Sequence, residues 1–440
     1  LAARLDVVSG RLFLALWVLV VVDLGVRWLP LRHFAEVVLA LLMLLALLKA
    51  STHIRVLAAV LLSATAVATW RAGDWTVLER GLRAGLLMGA FLPVVMLVRA
   101  TVYLSPTVPA IRERLGAMSA AERRSWMTGG AQMLGSILTL GYVSVQRPLL
   151  PASVPDDERA SLAESGVRGL GMAILWSPFF VASAMASQLV PGVPAWRIVL
   201  LGLALSAVAG LIAHLMFNRE LALGSIPRVV GRLAPIGVPT ILLVGAVVLT
   251  SGLAGWNVLQ SVIVVVPGVC AVYVLSHAPR RAGEVVRDVA AGAGRMGDEV
   301  LVLTTATMFG SAIAGVGMPD VLAGAIRALG DQPWLAIGLA VGLIAGLGLL
   351  GLHPMVTAAV MVPTYVSLGL PIADAVLLHI VVLAWSLSSM VSAWTLPVVV
   401  TSAAFGIPVR RLVFGANLRF VAVFGVAAVV ALALLNHALQ

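Results

Sequence analysis

Apolar runs long enough to cross a lipid bilayer follow one another along the whole chain, separated by short arginine-bearing segments. A helix rises about 1.5 Å per residue, so roughly 20 apolar residues span the hydrocarbon core. The pattern predicts spans at Leu12–Leu29, Phe34–Leu48, Ile54–Trp70, Arg83–Leu104, Thr128–Val145, Gly166–Val190, Trp196–Phe217, Pro235–Ser251, Val258–Leu275, Leu301–Met318, Pro371–Ile407 and Arg411–Leu435. Polar and apolar positions do not alternate in short segments, which excludes a transmembrane barrel. The fold class expected is an all-α polytopic membrane protein with about 12 spans.

Two of these spans carry polar residues in their middle. Pro371–Ile407 holds Ser386, Ser388, Ser389, Ser392, Trp394 and Thr395, then Pro397. Proline lacks an amide hydrogen and clashes with the preceding turn, so the helix is expected to break there. In Gly166–Val190 the stretch Trp176-Ser177-Pro178, followed by Ser183, echoes Trp394-Thr395-Leu396-Pro397, followed by Thr401. Freed backbone groups are tolerated at membrane depth only where protein or a wet cavity satisfies them. Between Trp334 and Leu368, glycines at Gly342, Gly346, Gly348 and Gly351 precede Leu352-His353-Pro354. That stretch reads as a re-entrant hairpin of two half-helices, with one long helix as the alternative.

The spans upstream echo each other too. Ala131-Gln132-Met133-Leu134-Gly135-Ser136 resembles Ala306-Thr307-Met308-Phe309-Gly310-Ser311, and each follows a polar arm, Pro109–Arg124 and Pro279–Glu299. The arms suit surface helices, connectors or plain solvated loops. These echoes predict an internal repeat. With the hairpin re-entering, the spans before the two arms are five crossings apart, which predicts an inverted repeat. The first repeat is expected to lack a hairpin, because Ser136 to Trp176 is far shorter than Ser311 to Trp394. The domain division expected is 1–104 as scaffold, 105–217 as the first arm and transport unit, 218–276 as further scaffold, and 277–440 as the second arm, hairpin, broken helix and last span.

Composition agrees with the pattern: of 440 residues, 61% are hydrophobic and 11% charged. The formal net charge of +10 is almost all arginine, with Lys49 the only lysine. In a soluble protein that balance would point to nucleic acid. Here the arginines lie between spans, where they anchor helices to headgroups, so the partner expected is the bilayer and not nucleic acid. The lone Cys270 allows no disulfide. The first apolar run is long enough to stay as a span rather than serve as a cleavable signal.

Few ionisable groups fall inside spans. Asp23 with Arg27 reads as an i,i+4 pair, and Asp374 as a first-turn dipole partner. His353, beside Pro354 and before Thr357, could donate to an anionic solute or carry a proton; the alternative is a ring bonding loop carbonyls. His379 reads as a neutral packing histidine. The main candidates for solute binding are the hydroxyls and prolines of the two breaks, namely Ser177, Pro178 and Ser183 with Ser392, Thr395 and Pro397. An interrupted helix offers amides to an anion and carbonyls to a cation. Ser389 and Thr401 are the candidate sodium ligands, sodium being the one ion expected; no other cofactor is. The competing reading is ordinary hydrogen bonding between helices. Gln146-Arg147 is the best arginine candidate for a carboxylate, or else an interface anchor.

Polar arm, hairpin and broken span with Ser/Thr and Pro, repeated in inverted form, resembles the ion transporter superfamily. That group includes divalent-anion/sodium symporters and the membrane subunits of tripartite periplasmic (TRAP) carriers. The resemblance covers Val102 to the C-terminus and rests on architecture. It implies a monomeric or homodimeric elevator in a bacterial inner membrane, moving a small anionic solute, mostly an organic acid, with sodium or protons. The Ser-Asn-Thr triplets of the dicarboxylate symporters are missing. The other readings are a membrane enzyme acting on lipid-linked substrates and a non-transporting assembly or sensor subunit. The first is disfavoured by short loops and by the lack of HExxH, P-loop and paired CxxC motifs.

Overall fold

The computed structural model describes residues 2–104, 118–139, 142, 155–219, 226–316, 324, 326–327 and 332–440, which are helical with no strand. Nine helical stretches among the described residues are long and apolar enough to cross a membrane. The chain is therefore an all-α, multi-pass membrane protein. Exposed Val, Leu and Trp side chains cover the outer helices, as a lipid-facing surface requires. Of the predicted spans, Thr128–Val145, Gly166–Val190 and Leu301–Met318 are not among the nine.

Helices α1 (Ala2–Val26), α2 (Leu29–Lys49), α3 (Thr52–Ala72) and α4 (Thr76–Val102) follow one another with short connections. Arg27 turns the chain between α1 and α2 with φ of 51°. That turn brings Arg32 of α2 to Asp23 at 3.2 Å, so Asp23 pairs with Arg32 and not with Arg27 as expected. α4 carries Gly81, Gly85 and Gly89 on one face, and against them lies α12 (Gly297–Val316). A Cβ on Gly85 would stand 2.6 Å from Thr304 Cγ2, and one on Gly81 2.6 Å from Met308 Cα. Small residues spaced by four let two helices approach closely in lipid, where packing rather than water drives association. The order of these contacts makes α4 and α12 antiparallel.

α5 (Ala120–Leu138) opens on a capping box between Ser119 and Glu122. It is followed by α6 (Asp156–Ile174), α7 (Val181–Leu189), α8 (Ala195–Phe217), α9 (Ile226–Ala254) and α10 (Val258–His277). The second polar arm forms a short 3-10 turn, Pro279–Arg281, then α11 (Ala282–Gly294). Most of the first arm, residues 109–117, lies outside the described residues. α11 buries Val285 and Val289 with Val274 of α10, against Ala100 and Leu104 at the end of α4. α4 and α10 therefore finish at the same end of the molecule. The parity reading, which made the spans before the two arms antiparallel, is corrected. It counted Thr128–Val145 as a crossing, whereas α5 stops at Leu138, with Thr139 at φ 49°.

The C-terminal third comprises α13 (Pro333–Leu349), α14 (Pro354–Ser367), α15 (Asp374–Val391), α16 (Leu396–Phe405), α17 (Val409–Phe414) and α18 (Ala416–Leu439). α13 and α14, of 17 and 14 residues, are joined by a tight turn in which Gly351 has φ 97°. Their other ends are tied by Tyr365 Oη donating to Ala336 O at 2.9 Å. α15 is the most enclosed helix among the described residues.

Candidate functional site

Both sequences expected to break do break. α6 ends at Ile174 and α7 starts at Val181; α15 ends at Val391 and α16 starts at Leu396. Pro178 lies inside the first gap, and Pro397 occupies the first turn of α16, where a missing amide hydrogen costs nothing.

Neighbours fix the direction of each helix. At one end, Asn436 near the close of α18 bonds Pro371 O and Ala373 N, just before α15. Gly192, just after α7, lies beside Asp374 there, and α8 begins there, with Ile198 O next to His379. At the other end, Ala416 N at the start of α18 donates to Glu164 of α6 at 3.3 Å. Phe217 at the close of α8 lies 3.9 Å from the Arg168 guanidinium of α6. So α6–α7 runs from the Glu164 end to the Asp374 end, and α15–α16 runs the opposite way. Their interrupted middles meet: Ser386 Oγ donates to Gly171 O at 2.7 Å, and Gly171 faces Met390.

Each break is latched by one serine making the same pair of bonds. Ser177 Oγ donates to Ser136 O near the end of α5 at 2.5 Å and accepts from Phe179 N at 3.2 Å. Ser392 Oγ donates to Gly348 O near the end of α13 at 2.8 Å and accepts from Trp394 N at 3.3 Å. By this register Ser177 corresponds to Ser392, and α5 to α13. The sequence echo had instead aligned Trp176 with Trp394 and α5 with α12. Trp176 is buried, whereas Trp394 is 70% exposed against the Gly351 turn. α5 packs parallel to α6, with Gly169 against Thr128 and Gly135 against Leu170. It therefore starts at the Glu164 end and stops beside the break, as α13 starts at the Asp374 end and stops beside the other.

The remaining candidates fall as follows. Ser183 Oγ donates to Ser177 O at 2.7 Å, and Thr395 Oγ1 to Ser392 O at 2.9 Å. His353 caps α14, its Nδ1 accepting from Met355 N at 3.4 Å. An accepting Nδ1 on a neutral ring leaves the N–H on Nε2. The ring stands edge-on to Trp385, centroids 5.1 Å apart. Pro354 and Thr357 are buried in the first turn of α14. Ser389 Oγ donates to Ser386 O at 2.7 Å on α15, whereas Thr401 sits beyond the break on α16. Gln146 and Arg147 lie outside the described residues.

Several buried polar atoms here have no hydrogen-bond partner: Trp176 Nε1, Ser388 Oγ, Thr357 Oγ1 and Thr401 Oγ1. A buried donor or acceptor left unpaired costs about 1–3 kcal/mol; other such atoms lie away from the breaks, at Thr69, Thr101, Tyr142 and Thr304 among others. Ser388 and Thr357 sit beside the tip of the α13–α14 turn, and Trp176 at the first break. Sequence reasoning had not singled out Ser388 or Gly348 as a contact pair. The signal was present as a glycine three residues before the Gly351 turn and a serine one helical turn before Ser392. No group of three or more His, Cys, Asp or Glu side chains suited to a metal occurs among the described residues. Comparison with models of known protein families finds no match, and comparison with curated proteins finds none.

Proposed function

We propose that the protein is a secondary active transporter of a small anionic solute, most simply an organic acid, working in a cell membrane such as the bacterial inner membrane. The observation that carries this reading is the meeting of two oppositely directed, interrupted helices amid unpartnered buried polar atoms. Amides at the starts of α7, α14 and α16 carry partial positive charge, which favours an anion. Thr357 and the Nε2–H of His353 supply neutral donors; Ser177, Ser183, Ser392 and Thr395, whose hydroxyl hydrogens are held by backbone carbonyls here, line the breaks and turn toward the solute when it enters. Pro178, Pro354 and Pro397 keep the helix starts open. Carbonyl ends of α6 and α15, with Ser389 and Thr401, suit sodium; His353 suits a proton as the alternative coupling ion.

In this proposal the two α-helical hairpin ends and the broken helices form an inverted pair. Its members are α4 with α12, α5 with α13, α6–α7 with α15–α16, and α8 with α18. The α13–α14 turn, whose base and tip lie at different depths, is read as a re-entrant hairpin. A site at the crossing is carried from one side to the other when the pair slides as a unit against the outer helices, which is an elevator motion. The assembly proposed is a monomer or homodimer.

A thermal-shift screen of the full-length protein against organic acids, with and without sodium, tests this reading. A ligand that binds only the folded state stabilises it by about 2.7 kcal/mol at a hundred times its Kd. Thr395→Ala and Ser177→Ala are expected to lower that shift. A confirmed ligand whose shift survives both substitutions refutes this site.

A further inference from the structure

His379 lies near the start of α15, fully buried, roughly 20 Å along the helix from Ser392 at 1.5 Å per residue. Both of its ring nitrogens face backbone carbonyls. Nδ1 is 2.6 Å from Ala375 O, one turn back, and Nε2 is 3.2 Å from Ile198 O on α8. A neutral imidazole has one N–H and can donate to only one of them. The shorter contact assigns that hydrogen to Nδ1. Nε2 then turns a lone pair toward an oxygen lone pair, a repulsive contact in a dry interior. A proton arriving at Nε2 changes it into a second, charge-assisted hydrogen bond, about twice as strong as a neutral one. Both carbonyls already accept an amide of their own helix and keep one lone pair for the ring, and only the doubly protonated ring donates to both.

We propose that His379 is a proton-binding site, taking its proton at Nε2 and fastening α15 to α8 while it is held. Loss of the proton removes the bond to Ile198 O and frees one half of the interrupted helix from its neighbour. This goes beyond the transport reading, which gives proton coupling to His353, and it stands on geometry far from the breaks.

The ionisable groups on the elements around this end of α15 are Asp374 on α15 itself, Arg197 on α8, Tyr365 on α14 and His437 on α18. Arg197 lies over Trp196, 5.2 Å from its ring centre, and Tyr365 donates to Ala336 O. α7, α13 and α16 carry no ionisable side chain. Glu164, Arg168, His214, Arg410, Arg411 and Arg419 belong to the opposite end. The imidazolium is thus held by carbonyl dipoles and not by a carboxylate. Counting back from Ser177 as far as His379 lies from Ser392 reaches Glu164. That residue likewise fastens its half-helix to the closing span of the other half, α18, through Ala416 N at 3.3 Å and, by its own carbonyl, Asn417 Nδ2 at 3.1 Å. An ionisable group thus occupies the same place in both halves.

The test is a nitrogen NMR titration of the full-length protein with ring-labelled histidine in lipid nanodiscs, from about pH 5 to pH 9. His379 is identified as the signal missing from His379→Gln. Should that variant fail to fold, a chain with the other six histidines changed to Gln reports His379 alone. The expected result is one protonated and one bare ring nitrogen at high pH, giving way reversibly to two protonated nitrogens as the pH falls. A ring that keeps one bare nitrogen throughout the range, or two protonated nitrogens throughout, overturns the proposal. No solute is needed, so this outcome is separate from success or failure of the transport reading.

Discussion

Replacing Ser177 with Ala removes two bonds from a fully enclosed break. The first is the 2.5 Å bond to Ser136 O, which joins α5 to the gap after α6. An interhelical hydrogen bond in a membrane protein is worth about 1 kcal/mol. The second is the bond from Phe179 N, whose residue is 2% exposed, so no water reaches the freed amide. An orphaned buried donor adds about 1–3 kcal/mol. The sum expected for Ser177→Ala is about 2–4 kcal/mol. Ser392→Ala removes the matching pair with a different consequence. Gly348 O keeps a second donor, Gly351 N, at 3.2 Å. The freed amide belongs to Trp394, a residue 70% exposed. Only the interhelical bond is then lost, about 1 kcal/mol. Ser187→Ala is the control, because its hydroxyl bonds Ala184 O within its own helix and should cost less than about 0.5 kcal/mol.

Reversible unfolding in mixed micelles, followed by helix signal at increasing denaturing detergent, gives the three differences on one scale. The order expected is Ser177, then Ser392, then Ser187. Equal losses at Ser177 and Ser392, or a larger loss at Ser392, would refute the view that enclosure of the neighbouring amide sets the size of the effect.

Two further outcomes follow from named contacts. A Cβ on Gly169 would collide with the backbone carbonyl of Thr128, whereas one on Gly171 meets only the side chain of Met390, 2.5 Å from its Cγ. Gly169→Ala should therefore lose about 1–3 kcal/mol by forcing α5 and α6 apart, while Gly171→Ala stays near neutral as helix propensity offsets the displaced methionine; the same micelle titration reads both, and equal losses would contradict the packing. Between α3 and α4, Asp74 accepts from Thr76 N at 3.0 Å and from Thr76 Oγ1 at 2.6 Å. These bonds, with Arg80 nearby, hold its carboxyl below the ordinary 3.8. A depressed pKa adds stability that is present above 3.8 and lost as pH falls through the folded value. Exchange of the Thr76 amide, corrected for its intrinsic rate, should accelerate only below about pH 3.8, and acceleration nearer neutrality would refute the assignment.

How much of this was legible in the sequence depends on the kind of signal. Long apolar runs gave α3, α8 and α10 to within two residues and located α1, α2, α4 and α9 with starts five to ten residues late, since burial in lipid leaves hydrophobicity as the dominant constraint but the polar first turns of a helix carry no such signal. Pro178 and Pro397 marked both interruptions only together with the polar residues beside them, because α4, α10 and α14 run unbroken through Pro93, Pro267 and Pro363. The α13–α14 turn was likewise readable from Gly351 together with Pro354. Pairing was not readable. Ala131–Ser136 and Ala306–Ser311 look alike, yet α5 stops beside a break while α12 lies full-length along the glycine face of α4. Local resemblance in an apolar chain mostly records the need for small residues at close helix contacts, and that need recurs at unrelated interfaces.

The register that relates the two halves comes instead from hydrogen bonds spanning many residues, Ser177 to Ser136 and Ser392 to Gly348. Such a bond constrains only one hydroxyl; the carbonyl partner is backbone and leaves no trace in residue identity. This explains why Trp176 and Trp394 made a misleading pair. Each sits near a break, but they lie on different sides of the latching serine, one packed inside and one exposed. The same logic bears on His379. In the sequence it is a histidine in an apolar helix, for which neutral packing is the economical reading. Two carbonyls, one from its own helix and one from α8, change the chemistry of the ring without adding a single ionisable neighbour. Residues whose role is set by backbone partners are the ones a sequence hides best, and both serine latches and His379 belong to that class.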